Sequence, residues 1–434
     1  MSFKSMLKKI PGVHALGRGL KFAAKDMTAI PSYLAQKRKK NKKEGPIRVG
    51  FVNQFIPAWL KLETLYELMK ADDRFQPVMI CVPSVVTEDR PGTEDGSNDT
   101  LSYFRENGYP DALDAMQADG SWLPLESLDL DFIFFSRPYN HYMPSAYHSA
   151  KVSRYCRICM VLYGMNISVE DADTTLNRDF FRHVYCFFAE NPFSLKTNRK
   201  HGPILHLLGL QHSVYYGMPG IEGFRKAKES PRPAWDFSKN NFRVMWTPRW
   251  TTDPALGGSN FFTYYRFLTE YAQTHTDMDF LFRPHPLTIP HFLETGELTQ
   301  EDADDWLATC ERLPNVAMDQ EKSYAATFWG TDVLVTDTSG VIPEYLVTGK
   351  PMIFCASNMT LEPVPNTKRM LEGCYVVYNQ EELAQCLSDL QQGIDPKSGA
   401  RKEMVEELFG PAMSDPGAKM RDHLIARTPR FRKK

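Results

Sequence analysis

The sequence predicts an α/β protein with two Rossmann-like, doubly wound lobes that face a cleft. Three observations lead to this fold class. The 434 residues, of which 42% are hydrophobic, are more than one core usually holds. Short apolar strands alternate with amphipathic helices in both halves of the chain. Between the halves, residues 216–241 carry several Gly and Pro and little apolar periodicity, which is typical of a linker.

The first lobe is expected at residues 46–215 and opens with a βαβ pattern. Apolar runs indicate strands, and i, i+3, i+4 spacing indicates helices. Strands are predicted at Ile47–Val52, Pro77–Val82, Phe132–Phe135 and Ile158–Leu162, with helices at Trp59–Ala71 and Leu101–Asn107. This alternation favours a parallel sheet.

The second lobe is expected at residues 242–395, where the alternation restarts. Strands are predicted at Arg243–Trp246, Phe280–Phe282, Val333–Val335 and Met352–Phe354, with helices at Asn260–Gln273, Ser323–Gly330 and Pro343–Thr348. Open α/β sheets bind ligands at the carboxyl ends of their strands, so the site is expected in the cleft. No G-x-G-x-x-G follows the first strand of either lobe and no P-loop occurs, which disfavours an NAD enzyme or a P-loop kinase.

Both termini are basic, although the formal net charge of −2 gives no reason to expect a specific nucleic-acid partner. Residues 1–45 form a basic arm in which Asp26 and Glu44 are the only acids, and residues 396–434 are expected to form a helical basic tail. An amphipathic pattern broken by Pro11 predicts a kinked interfacial helix in the arm, and both basic termini are expected to contact an anionic membrane surface. The alternative for the arm is a disordered, solvated tail that also binds nucleic acid non-specifically. The apolar positions of this pattern are Phe3, Met6, Leu7, Ile10, Val13 and Leu16.

No apolar run is long enough to span a membrane, and no secretory signal is recognisable. The eight cysteines are irregularly spaced, and the single CxxC, Cys156 and Cys159, lies in an apparent strand, which favours reduced, buried thiols. We therefore expect a cytoplasmic protein that is peripheral on the inner face of the cell membrane.

Three motifs at predicted strand ends carry candidate chemistry. Asp337-Thr338-Ser339-Gly340 is a polar turn between a strand and a helix with Pro343 in its first turn, so it could cradle a phosphate or simply cap the helix. Arg283-Pro-His285-Pro holds an arginine suited to phosphate and a histidine suited to proton transfer. Arg249 could be a third phosphate contact or stack on the neighbouring Trp250.

The order of these motifs resembles the CDP-glycerol glycerophosphotransferase family over most of the second lobe. The matching runs are Thr-Pro-Arg-Trp, Arg-Pro-His-Pro, Asp-Val-Leu-Val-Thr-Asp-Thr-Ser-Gly, Glu-Tyr-Leu and Gly-Lys-Pro-Met-Ile-Phe, between Phe242 and Phe354. The resemblance implies a GT-B-type fold that passes a polyol-phosphate unit from a CDP-alcohol to a membrane-anchored, lipid-linked acceptor. It implies that Arg283 and His285 contact the donor pyrophosphate.

The resemblance also implies donor-binding roles in the turn. Ser339, with its neighbours Thr338 and Gly340, would hold a phosphate. Asp337 and Glu344 would occupy the acidic positions of the family, with Glu344 near the ribose. In the reaction the acceptor hydroxyl attacks the donor phosphorus and CMP leaves, so these groups would stabilise the negative charge that develops.

The first lobe resembles a variant branch of the family. Where teichoic-acid polymerases have His-Gly-Thr, this chain has Tyr163-Gly164-Met165, followed by Asn166 on the acceptor side. The candidate base of the family is therefore replaced, and His141 is a candidate substitute if its loop covers the cleft. The turn likewise has Asp-Thr-Ser-Gly in place of the commoner Asp-Tyr-Ser-Ser.

No metal and no cofactor is predicted, because arginines and backbone donors can hold a diphosphate. Two alternatives remain. A nucleotide-sugar glycosyltransferase would need the same pyrophosphate contacts, and a non-catalytic, membrane-docked scaffold would explain the missing histidine.

Overall fold

A computed structural model describes residues 13–40, 44–86, 97–239, 241–356 and 361–431. The chain forms two compact units. The first comprises residues 1–163, 172–220 and 415–434, and the second comprises residues 164–171 and 221–414. The chain therefore passes between the two units at more than one point.

The first unit is built on a parallel sheet of seven strands among the described residues, in the order β3-β2-β1-β4-β5-β6-β7. The strands are β1 (Ile47–Asn53), β2 (Phe75–Cys81), β3 (Leu113–Asp114), β4 (Phe132–Phe135), β5 (Arg157–Met160), β6 (Val184–Ala189) and β7 (His212–Tyr215). The helices are α1 (Val13–Lys40), α2 (Glu63–Lys70), α3 (Asp99–Glu106), α4 (Ser149–Val152), α5 (Val169–Leu176), which crosses the unit boundary, α6 (Pro192–His201) and α7 (Pro203–Leu207).

The second unit has a parallel sheet of six strands within the described ranges, in the order β10-β9-β8-β11-β12-β13. The strands are β8 (Phe242–Thr247), β9 (Met278–Phe282), β10 (Val316–Met318), β11 (Val333–Thr336), β12 (Met352–Cys355) and β13 (Tyr375–Val377). The helices are α8 (Ile221–Lys226), α9 (Phe261–Thr274), α10 (Thr288–Thr295), α11 (Gln300–Arg312), α12 (Ala325–Gly330), α13 (Ile342–Leu346), α14 (Pro365–Glu372), α15 (Gln380–Gln391) and α16 (Ser398–Phe409); α17 (Pro416–Ala426) returns to the first unit.

The prediction of two Rossmann-like parallel sheets is confirmed. Each predicted strand has a counterpart, because the central strands β1, β4, β8 and β11 are almost wholly buried apolar runs. The segment expected to be a linker is more ordered than its composition suggested. It contains α8, and the Trp235 indole in the same stretch donates to the Thr327 carbonyl at 3.0 Å.

The basic arm is not a free segment over residues 13–40. These residues form the single long helix α1, and one face of it is built into the first unit. Asp26 is fully buried and pairs with Arg182 at 3.1 Å, and the Tyr33 hydroxyl donates to the Val184 carbonyl at 2.9 Å. The part of the predicted kinked helix that includes Pro11 lies outside the described residues.

The predicted basic tail is divided between the two units. Helix α16 belongs to the second unit, while α17 packs Met420 and Leu424 into the core of the first. Beyond α17, Arg430 makes two hydrogen bonds to the Asp131 carboxylate, at 2.7 and 3.1 Å. This arginine therefore fastens the chain to the first unit, whereas the sequence had suggested a tail available to a membrane.

Among the described residues, no helix combines the length and apolar character needed to cross a bilayer.

Candidate active site

The three motifs singled out in the sequence lie at one edge of the second unit's sheet. Strand β8 is hydrogen-bonded to β9 on one side and to β11 on the other, with Trp246 opposite Phe282 and Thr247 opposite Thr336. The next residues of each strand are those of the motifs, so Arg249, Arg283 and the turn at Asp337 emerge side by side. This confirms the expectation that the motifs share a rim.

Asp337 connects two of these loops. It is 2% exposed, and its carboxylate accepts hydrogen bonds from the backbone N–H of Arg249 at 2.8 Å and of Asn260 at 3.1 Å. The Ser259 hydroxyl lies 3.3 Å from the same carboxylate. Burial raises the pKa of Asp337 to about 7, although the backbone donors and Arg249 oppose the rise. The structure therefore gives Asp337 a bracing position beneath the site, where the sequence suggested a direct donor contact.

Arg249 is directed at the turn that follows β11. Its Nη1 donates to the Thr338 carbonyl at 2.8 Å. Gly257 packs against the guanidinium: a Cβ on this glycine would lie 3.0 Å from the Arg249 Nε and 2.8 Å from the Thr338 Cγ2. With a φ of +104°, Gly257 also adopts a backbone conformation that favours glycine. Trp250 instead packs edge-on against His291, with ring centroids 4.9 Å apart.

Arg283 is held by two groups that the sequence did not reveal. Its Nη1 pairs with the buried carboxylate of Asp319 at 2.6 Å, just beyond the end of β10. Its guanidinium carbon lies 5.2 Å from the centroid of the Tyr324 ring, within cation–π range. About a fifth of the Arg283 side chain, 21%, remains exposed. The guanidinium is thus fixed in place while part of it faces solvent.

Glu344 lies beneath this arginine–tyrosine pair. It is 1% exposed, in the first turn of α13. Burial raises the pKa of the Tyr324 hydroxyl well above its ordinary value, and the hydrogen bond to the Glu344 carboxylate adds to the rise. This position supports Tyr324, whereas the resemblance had placed Glu344 near the ribose.

His285 is exposed in the turn between β9 and α10. The Leu287 N–H lies 3.2 Å from its Nδ1, which favours the tautomer with the proton on Nε2. Protein atoms crowd the ring although the residue as a whole is exposed, and together with the nearby Arg249 they lower the pKa of His285 below its usual value. At neutral pH the ring is therefore an uncharged donor through Nε2.

The turn at Thr338–Gly340 keeps backbone donors available. No hydrogen bond joins the N–H groups of Ser339 and Gly340 to any part of the chain that the structure describes. The Ser339 hydroxyl lies 3.4 Å from the Val341 N–H. Helix α13 has only five residues with Pro343 near its start, so its dipole is short and the local N–H and hydroxyl groups are the main anion donors.

The candidates from the first lobe are distributed between the two units. His141 is exposed in a short 3₁₀ helix of the first unit, where its ring lies 4.2 Å from that of Tyr142. Tyr163 is in the same unit, and its hydroxyl lies 3.3 Å from the Tyr139 hydroxyl. Asn166, 7% exposed, belongs to the second unit.

Sequence reasoning missed Gly257, Asp319 and Tyr324. Only Asp319 had a usable signal, because it follows a short apolar run that forms β10. Over the described ranges, no group of His, Cys, Asp or Glu side chains is arranged to bind a metal ion. The cationic groups at this edge are arginines.

A family model described as CDP-Glycerol:Poly(glycerophosphate) glycerophosphotransferase matches residues 234–410. This range contains the strand-end motifs at Arg249, Arg283 and Asp337, together with Gly257, Asp319 and Tyr324. No curated protein matches the chain by sequence.

Several solved structures share the fold. The chain is similar to a putative UDP-N-acetylglucosamine 2-epimerase from Listeria monocytogenes, with a TM-score of 0.59 and 13% identity over 90% of this chain and 98% of that one. It is similar to S. aureus MnaA with UDP, with a TM-score of 0.56 and 12% identity over 88% and 96% of the two chains. It is also similar to the wall teichoic acid polymerase TagF soaked with CDPG, with a TM-score of 0.53 and 13% identity over 97% and 99%. At these identities the likeness concerns the fold.

Proposed function

We propose that the chain, whose residues 234–410 match the family model of CDP-glycerol glycerophosphotransferases, moves a glycerol-phosphate or related polyol-phosphate unit from a CDP-alcohol to a membrane-linked cell-surface glycan or teichoic-acid-like acceptor. One observation carries the proposal: Arg283 with His285, Arg249 and the Thr338–Gly340 turn follow three neighbouring strands, β9, β8 and β11, inside the matched range. A diphosphate needs such a group of fixed cations and N–H donors.

On the donor side, each group has a role set by its surroundings. Arg283, fixed by Asp319 and Tyr324, contributes positive charge to the pyrophosphate. His285 donates a hydrogen bond from Nε2 to a phosphate oxygen, since its lowered pKa keeps the ring neutral. The Ser339 hydroxyl and the N–H groups of the turn hold a second phosphate oxygen. Arg249 positions that turn through the Thr338 carbonyl.

As these groups are in place before the reaction, they stabilise the charge that develops on the leaving CMP without reorganising. Asp337 and Glu344 support the site from below and make no direct contact with the donor in this proposal. For the base that takes the acceptor proton we retain His141, whose ring is exposed at the surface of the first unit. A positioned base contributes roughly a hundred- to ten-thousandfold to such a step.

Helix α1 supports the membrane part of the proposal through its outward face. Leu20, Met27 and Leu34 recur at seven-residue intervals and are 64%, 59% and 51% exposed. Ala24 and Pro31 are exposed between them. Large apolar side chains in one exposed row on a helix are typical of an interaction surface. We name this row the α1 stripe.

An anionic bilayer is the occupant that we propose for the α1 stripe. The helix continues into the basic sequence Lys37–Lys40, and the sequence remains basic to Lys43. Each Lys or Arg near an anionic leaflet contributes about 1 kcal/mol, and the apolar row adds shallow insertion. This surface replaces the segment around Pro11 as the testable anchor.

The function is tested by incubating the purified protein with CDP-alcohols and nucleotide sugars and measuring nucleotide release. Release of CMP from CDP-glycerol that depends on an acceptor supports the proposal. Release from a nucleotide sugar alone would favour a glycosyltransferase, and no release from any donor would favour a scaffold.

The membrane part needs a separate test, since deleting residues 1–43 would also remove the buried Asp26 and Tyr33. Replacing Leu20, Met27 and Leu34 together by Gln should release the protein from vesicles that contain anionic lipid in a cosedimentation assay. Replacing Leu207 and Leu208 by Gln is the matched control, because these leucines are 80% and 52% exposed elsewhere in the first unit. Unchanged cosedimentation of the triple variant would refute the α1 stripe as the anchor.

A further inference from the structure

A buried carboxyl group stands directly before the turn assigned to the donor phosphate. Asp337 is 2% exposed, and the turn that follows it, Thr338–Gly340, keeps backbone N–H groups that no described residue accepts. Both carboxylate oxygens face protein donors: Oδ1 accepts from the Arg249 N–H at 2.8 Å, and Oδ2 accepts from the Asn260 N–H at 3.1 Å. Because solvent does not surround Asp337, the charge of an anion at the turn acts on it with little screening.

Arg249 is the cation that acts on both Asp337 and the turn. Its Nη1 donates to the Thr338 carbonyl at 2.8 Å, and its positive charge lowers the pKa of Asp337. While Asp337 is ionised, its negative charge offsets the positive charge of Arg249 for any anion at the turn. Protonation of Asp337 removes that offset. The attraction between this part of the site and an anionic donor therefore depends on the state of one carboxyl group.

The contacts around Asp337 accommodate both protonation states. The Ser259 hydroxyl lies 3.3 Å from Oδ2, and the same hydroxyl accepts from the Phe261 N–H at 3.1 Å. A hydroxyl oxygen has one proton and two lone pairs, so Ser259 can donate to the ionised carboxylate and, after rotating, accept from the protonated one. Oδ1 accepts from the Arg249 N–H in either state. Proton uptake therefore does not require the two loops to separate.

Asp337 has a pKa near neutrality, and the titratable groups that face it do not. Burial raises the pKa of Asp337 to about 7, against the effect of Arg249. The Cys355 thiol of β12 faces Asp337 and is hydrogen-bonded to the Tyr264 hydroxyl of α9, and burial raises the pKa of both groups well above neutral. In the neighbouring loop, burial and Arg249 lower the pKa of His285 to about 4. A change of protonation at neutral pH therefore belongs to Asp337.

We propose that Asp337 is a positioning residue that takes up a proton when the donor diphosphate binds at the turn, so that the charge of Arg249 acts on the donor. The proton passes from solvent to a carboxylate oxygen, and no other bond forms or breaks. The inference rests on the proposed function and adds a regulatory property to the same site. Because the donor anion raises the pKa of this carboxyl, donor affinity is greatest below the pKa of the free protein and falls as pH rises through it.

Isothermal titration calorimetry of the full-length protein with CDP-glycerol, repeated in buffers with different ionisation enthalpies, measures the proton uptake. Both phosphates of CDP-glycerol are esterified, so the donor lacks the proton that a phosphate monoester loses near about pH 6. We expect uptake of about 0.3–0.5 proton near pH 7 and a dissociation constant that rises about threefold to tenfold between about pH 6 and pH 9. Sulfate serves as a second probe, because it keeps its double negative charge over this range.

Asp337→Asn should abolish both the proton uptake and the pH dependence of binding. Asp279→Asn is the matched control, since Asp279 is also 2% exposed in the same unit but lies near the start of β9, at the opposite edge of the sheet. Thermal denaturation checks the fold of each variant, and the buffer series on the wild type decides the question if Asp337→Asn does not fold. Donor binding without proton uptake, or an equal loss of uptake in Asp279→Asn, overturns the proposal.

The two probes separate this inference from the proposed function. If sulfate binds with a proton uptake that Asp337→Asn abolishes, while CDP-glycerol does not bind, the role of Asp337 stands and the proposed donor is wrong. If CDP-glycerol is turned over but binds without proton uptake, the proposed function stands and the role of Asp337 is wrong. Absence of binding by either probe overturns both.

Discussion

Replacing Gly257 by Ala is the most direct test of whether the loop after β8 shapes the donor site. The new Cβ would lie 2.8 Å from the Thr338 Cγ2 and 3.0 Å from the Arg249 Nε. Carbon atoms in contact normally lie about 3.5–4.0 Å apart, so Thr338 or the loop must move by about 0.7 Å or more. Arg249 cannot move alone, because its Nη1 is bound to the Thr338 carbonyl.

Two effects of different size follow from this substitution. A positive φ costs a non-glycine residue about 1–2 kcal/mol, which lowers stability wherever the residue stands. A shift of nearly 1 Å in groups that position a substrate lowers catalytic efficiency by up to about a hundredfold. We expect kcat/KM for CDP-glycerol to fall by about ten- to a hundredfold.

Gly296→Ala separates the two effects. Gly296 has a φ of +74° in the same unit, and a Cβ there would meet nothing within 4 Å. Thermal denaturation should show a loss of stability in both variants, larger in Gly257→Ala because of the contact with Thr338, whereas initial rates of CMP release should fall only in Gly257→Ala. Equal kcat/KM values for the two variants would refute the argument that Gly257 positions Arg249 and Thr338.

Three further outcomes are expected from the site. Arg283→Ala and His285→Ala should each lower turnover by at least about tenfold with the melting temperature unchanged, and wild-type rates would contradict their assignment to the pyrophosphate. Ser339→Ala should raise the donor KM more than it lowers kcat, and an unchanged KM would count against the turn. Because burial raises the pKa of Asp337 to about 7, folding favours its protonated form. That contribution to stability is fully present below the unfolded pKa of about 4 and is lost as pH rises to about 7, so Asp337→Asn should flatten the dependence of melting temperature on pH between about 4 and 7. An unaltered profile would show that Asp337 does not titrate in this range.

The central strands of both sheets could be predicted because they are short, buried apolar runs. Strand β6 had the same pattern and could have been found as well. Strand β7 could not, since His212–Tyr215 mixes polar and aromatic residues and precedes a stretch rich in Gly and Pro. Its place in the sheet depends on pairing with β6, and that is a tertiary contact.

The candidate site was predictable as a set of strand ends but not as a network of contacts. Alternation of strands and helices was enough to place Arg249, Arg283 and Asp337 on one rim. The partners of Arg283, by contrast, come from the end of another strand and from the approach to α12, and no local pattern connects them. The burial of Asp337 and Glu344 could not be seen in a motif, and their donor-binding roles stay predictions.

The packing of the N-terminal helix α1 could not be predicted from local sequence either. Its composition suggested a free basic arm, and its many Lys and Arg residues gave no sign of the face that packs on the protein. Asp26 was the one discordant residue, an acid within a basic stretch, and its partner Arg182 lies far along the chain. The ion pair between Asp26 and Arg182, which are distant in sequence, holds this helix against the first unit.

The return of α17 to the first unit has a consequence for synthesis on the ribosome. Residues 221–414 leave the exit tunnel before α17, so the second unit has its whole sequence available while the first still lacks Met420 and Leu424. Domains usually fold in order from the N-terminus during translation. Here the N-terminal sheet would wait with an incomplete core, open to chaperones, until the segment beyond Asp415 has been made. A released chain that is truncated after residue 414 should therefore protect the second unit from protease and leave the first one sensitive.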